Sequence, residues 1–221
     1  MLTDSQVPDN TKTMDYCIQC NRPISRCICS FVTHIDNPLP VVILQHLREK
    51  HHPKGTAKLT QMCLANCDII SEKDFSQPLK KILDRYQPIL LWPATKQHQH
   101  ITEPPAEAVK PKSQLDTTNE KPYALIAIDG TWKKANKIFL SHPEFQTMPR
   151  CMIENQSNQY HHRKSPSDQH LSTLEAIYFG LKQLQPNGFN DKLKELLNAQ
   201  QAMVEHWQNE VKKHQQESST R

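Results

Sequence analysis

Apolar positions in this chain come in a few short runs divided by long polar stretches. The run VVILQ (41–45) is rich in β-branched residues and follows Pro38 and Pro40, the mark of a buried strand. PILLW (88–92), closed by Pro93, reads the same way, and YALIAID (123–129) is the strongest strand pattern in the chain. Ile69–Ile70 predicts a short strand, and RCMIE (150–154) a further one. Helical patterns lie between them. One is capped by Thr56 and runs to about Asn66; others cover 78–85 and Lys133–Leu140. A helix from Ser172 to Leu184 carries Glu175 at capping-box spacing, and two more cover about 190–197 and 199–214, ahead of a polar tail at 215–221. Strands alternating with helices predict an α/β fold, a mostly parallel sheet with helices on both faces. Ligands of such sheets bind beyond the carboxyl ends of the strands. The loops after Gln45, Asp129 and Glu154 are therefore where a site is expected.

Two stretches have no such pattern. Residues 1–14 read as a flexible leader without the apolar core of a signal peptide. Residues 94–122, with several prolines and a glutamine/histidine run, read as a long mobile surface loop. The hydrophobic fraction of 36% and mean hydropathy of −0.72 are low for an enzyme of this length, so the core must come from the few runs above. No apolar stretch approaches the roughly 20 residues of a membrane helix. A soluble, cytoplasmic protein is expected.

The formal net charge of +4 is too small to identify a nucleic-acid binder. Its distribution says more. Basic and histidine residues gather at His46–Lys58, Lys133–Lys137 and Tyr160–Lys164, beside the expected site loops. Any one cluster reads equally well as solvated surface; three together point to a surface that faces phosphates.

Four of the seven cysteines, Cys17, Cys20, Cys27 and Cys29, fall in the pattern C-x2-C-x6-C-x-C. Two close pairs can wrap one tetrahedral ion, and the intervening NRPISR has little to bury, so metal gives residues 15–30 more than packing can. A structural zinc knuckle is the main reading; free or redox thiols and an iron–sulfur cluster are the alternatives. Four thiolates leave no open coordination position for catalysis. Cys63 and Cys67, four apart on an expected helix, read as small buried hydrophobes. His161 and His162 are adjacent, and adjacent side chains seldom converge on one ion.

Asp129-Gly130-Thr131-Trp132 follows the strongest strand directly. A carboxylate there stands at the active edge of a parallel sheet, and Gly130 allows a tight turn and close ligand approach. The plainer reading makes Asp129 a helix cap and Trp132 part of the core. Spacing leaves both open.

With these residues in view the chain resembles the DTW-domain family, named for an Asp-x-Thr-Trp motif matched by Asp129, Thr131 and Trp132. CIQCNRPISRCICS (17–30) is similar to the family's cysteine module. QHLREK (45–50), LIAIDGTW (125–132), YHHRKSP (160–166) and LSTLEA (171–176) match in order and spacing. The resemblance covers roughly residues 15–185, with Leu47 standing where the family commonly has proline. It implies a SPOUT-like fold with a C-terminal trefoil knot, residues 31–214 forming the catalytic domain. It implies transfer of the 3-amino-3-carboxypropyl group of S-adenosylmethionine to N3 of a tRNA uridine, at position 47 of the variable loop in bacterial members, with release of methylthioadenosine.

Within that implied reaction the residues take expected roles. N3 of uridine is a poor nucleophile until its proton leaves, so a base should assist: Asp129 first, His46 second. Arg163 would clamp the carboxylate of the transferred group. Thr131, Trp132, Ser172 and Thr173 would line the donor pocket, and Lys133, Lys137 and Lys164 would face the RNA. The expected partners are tRNA and S-adenosylmethionine, with zinc structural and a monomer favoured. Two alternatives remain: a SPOUT-like RNA methyltransferase using the same donor, and a non-catalytic zinc-knuckle RNA-binding protein, which would tolerate loss of Asp129.

Overall fold

The computed structural model describes residues 16–92, 121–153, 171–184 and 190–219. The expected leader, most of the 94–122 loop and the Tyr160–Lys164 cluster lie outside the described residues.

Five strands form one sheet in the order β2-β1-β4-β3-β5, all neighbours parallel. They are β1 (Val41–His46), β2 (Cys67–Glu72), β3 (Gln87–Leu91), β4 (Tyr123–Asp129) and β5 (Arg150–Cys151). The pleat divides their side chains between two cores. Val41, Ile43, Ile89, Leu91, Leu125 and Ala127 face α1 (Ala57–Cys63), α5 (Thr173–Leu184) and α6 (Asn190–Ser219). Val42, Leu44, Leu90, Ala124 and Ile126 face α2 (Ser76–Arg85), α3 (Trp132–Ser141) and α4 (Glu144–Thr147). The α/β class with a parallel sheet covered on both faces is therefore as expected. Helix α5 lies close against the sheet because Gly180 has no side chain: a methyl there would come within 3.0 Å of Leu91 and 3.1 Å of Leu125.

Four elements differ from the sequence reading. The helix expected to reach Asn66 stops at Cys63, where the Ile35 amide takes the Cys63 carbonyl and the Ala65 amide takes that of Ile35. Cys63 and Cys67 thus do not share a helix; Cys67 opens β2 opposite Val41. Strand β2 has six residues instead of two, because β1 supplies six partners. Strand β5 is only two residues long, with partners at Leu90 and Leu91 of β3. The two C-terminal segments are one continuous helix, α6, held through Leu193, Leu196, Leu197, Ala199 and Met203, and it extends into the expected polar tail. No helix among the described residues is long and apolar enough to cross a membrane.

Candidate active site

The carboxyl ends of three adjacent strands carry one row of polar side chains. Gln45 of β1 is paired in register with Ser71 of β2 on one side and with Asp129 of β4 on the other. The Gln45 amide nitrogen donates to Asp129 Oδ2 at 2.9 Å, and the Ser71 hydroxyl donates to Gln45 Oε1 at 2.7 Å. The other carboxylate oxygen, Asp129 Oδ1, accepts from the Thr173 hydroxyl at the start of α5. Asp129 is only 8% exposed, so both donors hold a nearly buried carboxylate in one orientation. Asp129 does not cap α3: Thr131 occupies the cap position, and no side chain there bonds the helix amides.

The pleat separates the two expected bases. Asp129 falls on the face of Leu125 and Ala127, toward α5, whereas His46, next to Gln45, turns toward Gly130 and α3. His46 Nδ1 accepts the Arg48 amide at 3.2 Å and so caps a single 3-10 turn at Leu47–Glu49. In the neutral ring this leaves Nε2–H as a donor. Gly130 keeps the crossing tight, since a methyl there would lie 3.3 Å from Cβ of Lys134 and 3.7 Å from Cβ of His46.

Trp132 is half-buried and stacks on Trp92 at 5.3 Å, which stacks in turn on Phe139 at 4.5 Å. Its inner side therefore belongs to the core. Thr131, Lys133 and Lys137 are exposed, and Lys134 pairs with Glu49 at 2.5 Å. The capping box is present. The Ser172 amide donates to Glu175 Oε2 at 2.6 Å, and the Glu175 amide donates to the Ser172 hydroxyl at 3.2 Å. Ser172 is buried, and its hydroxyl also reaches Gln200 of α6 at 3.1 Å, so Thr173 is the neighbour that meets Asp129. Arg163 and Lys164 lie outside the described residues.

The four knuckle cysteines converge. All their sulfur atoms lie within 4.8 Å of one another, with Cys17 and Cys29 at 3.5 Å and Cys20 and Cys27 at 3.8 Å. Zn–S bonds of about 2.3 Å set tetrahedron edges of about 3.8 Å, so the set fits one zinc ion. Asn21, at φ 53°, makes the left-handed turn that folds the first pair back, a conformation asparagine tolerates. Amide and thiol donors from Cys20 and Cys29 lower the Cys17 thiol to about 6, while burial and the Cys17 contact push Cys29 up to about 12. Four thiols this close share charge unevenly until a cation replaces their protons.

Sequence reasoning missed three residues. Gln45 and Ser71 orient Asp129, and the only hint was a glutamine ending an apolar run. Arg22, inside the knuckle, donates to the Pro53 carbonyl at 2.9 Å and the Gly55 carbonyl at 2.6 Å, and lies 5.4 Å from the Trp207 ring centroid. Burial lowers its pKa, with the Cys20 charge opposing.

A polar row at this edge, on the strand that ends in Asp-Gly-Thr-Trp, coincides with a family match over residues 14–208 to the DTW domain. This chain belongs to the DTW-domain family. The tRNA-uridine aminocarboxypropyltransferase 2 of Drosophila melanogaster is 31% identical over 170 residues, covering 72% of this chain and 62% of that protein. Its namesake in Macaca fascicularis is 29% identical over 180 residues, 78% of this chain and 57% of that protein. The Mus musculus protein of that name is 27% identical over 180 residues, 77% of this chain and 57% of that protein. The chain thus spans less than two thirds of the length of these relatives. No solved structure matches it. In this DTW protein the motif residues divide their work: Asp129 faces the polar row, and Trp132 anchors α3 on the opposite core.

Proposed function

We propose that this DTW protein transfers the 3-amino-3-carboxypropyl group of S-adenosylmethionine to N3 of a tRNA uridine, in the variable loop. Its family and the printed names of its relatives support the reaction class. One observation carries the site: a nearly buried carboxylate, Asp129, held by Gln45 and Thr173 at the carboxyl edge of the parallel sheet.

In the proposed step the N3–Cγ bond forms as the Cγ–S bond breaks. The bond pair goes to sulfur, which leaves as the neutral thioether methylthioadenosine. Uridine N3 loses its proton to Asp129, whose oxygens keep unused lone pairs beside their two bonds. His46 stands second, because its Nδ1 must first release the Arg48 amide. Thr131, Trp132 and Thr173 line the donor pocket, Ser172 fixes the α5 terminus beside them, and Arg163 clamps the donor carboxylate. Lys133, Lys137 and Lys164 face the RNA. Zinc bound by Cys17, Cys20, Cys27 and Cys29 would supply structure only, with no open position for substrate. The same reading gives a SPOUT-like fold with a C-terminal trefoil knot, in a cytoplasmic monomer.

Mass spectrometry of tRNA nucleosides, from cells with and without the chain, tests the reaction. A uridine gaining one aminocarboxypropyl group, dependent on the chain, is expected. A methylated product would instead make the protein a methyltransferase, and an unchanged nucleoside profile with RNA binding retained would leave a non-catalytic binder.

A further inference from the structure

A cleft of about 570 Å³ opens between the cysteine knuckle, the loop after β1, α1 and β2. Six basic or imidazole side chains line it: Arg22, Arg26, Lys50, His51, His52 and Lys58. No carboxylate does so among the described residues. Its lining also includes Gln45 and Ser71, two members of the polar row. The cleft therefore reaches within one hydrogen bond of Asp129, on the same face of the sheet. Lys133 and Lys137 sit on α3, which packs on the opposite face.

The cationic wall is built into the fold. Arg22 ties the knuckle to the 53–55 backbone and to Trp207 of α6, and Phe31 packs against His206 of the same helix at 5.6 Å. The knuckle is thus a fixed side of the cleft rather than a tethered finger.

We infer that this cleft binds the sugar–phosphate backbone of the substrate RNA and delivers the target base toward Gln45 and Asp129. A cleft lined by cations without a compensating carboxylate favours a polyanion, and its width allows an unpaired strand to enter. The inference rests on the reading of the chain as a tRNA modifier and adds to it the path of the RNA.

The test uses the full zinc-loaded chain and unmodified tRNA. Binding is measured over a salt series for the wild type, for a variant carrying Arg26→Ala, Lys50→Ala and Lys58→Ala, and for a variant carrying Lys133→Ala and Lys137→Ala. Arg26 and Lys50 are exposed and Lys58 is half-buried; zinc content, melting temperature and S-adenosylmethionine affinity verify that the variants stay folded. The cleft variant should bind at least about tenfold more weakly, with a salt slope shallower by about two units, roughly one per lost phosphate contact. The α3 variant should lose less. A cleft variant with wild-type affinity and slope overturns the inference while leaving the reaction intact if wild-type protein still forms product. Wild-type protein that neither binds nor modifies tRNA overturns both. As a second measurement, Lys50→Glu should weaken tRNA binding further than Lys50→Ala; equal affinities count against the cleft.

Discussion

Asp129 owes its geometry to two donors from separate elements, and that makes it sensitive to isosteric change. In Asp129→Asn one oxygen becomes an amide that cannot accept a proton from N3. If Asp129 is the base, turnover should fall by roughly 10²–10⁴, with donor affinity changing much less. Single-turnover rates, donor titration and melting curves on this variant separate a base from a pocket residue, and wild-type turnover would end the assignment. Gln45 is a positioning residue. Gln45→Leu strips Asp129 Oδ2 and the Ser71 hydroxyl of a partner in a buried setting, so a stability loss of about 1–3 kcal/mol is expected by denaturant titration. The rate constant should fall more than substrate affinity, a split that stability alone would not produce.

At the scale of elements, the knuckle and the caps show where local chemistry controls the fold. The knuckle buries few side chains of its own, Cys20 and Ile28 among them, so metal should supply much of its order. Near-stoichiometric zinc by elemental analysis is expected, and Cys20→Ser or chelation should lower the melting temperature. The pH sign follows from the thiols. Binding replaces thiol protons, so bound sulfurs titrate far below their free values. Stabilisation by zinc is then present near neutrality and lost as the pH falls through and below about 6, where even the lowered Cys17 thiol is protonated. A metal-free protein that melts normally would refute this. Arg22 extends the effect beyond the knuckle by holding the 53–55 backbone, and the Ser172–Glu175 box sets the start of α5 so that Thr173 meets Asp129.

Across the whole molecule, the sheet assigns its basic groups to two sides. The α3 lysines lie on one, and the cleft cations share the other with Asp129. If both sides meet tRNA, the effects of the two groups of substitutions on binding free energy should add, because distant sites without shared partners act independently. Combining the cleft and α3 variants and titrating with tRNA measures this. Strong non-additivity would mean that both surfaces grip the same phosphates.

The sequence by itself determined the alternation of strands and helices, the parallel class, the cysteine cluster, the capping box at Ser172 and the family. These are local signals: short apolar runs, fixed spacings, and motifs carried in order along the chain. Element boundaries were legible only where the chain itself ends an element. β2 took its length from β1, and the helix before it ended early because Ile35 claimed the Cys63 carbonyl. Only the tertiary structure decided which groups meet Asp129. Gln45 and Ser71 come from strands 84 and 26 residues apart in their pairings with Asp129 and Gln45, and Thr173 lies 44 residues from Asp129. No local pattern encodes such register. The pleat likewise placed His46 and Asp129 on opposite faces, since strand side chains alternate and a one-residue offset across paired strands reverses the side.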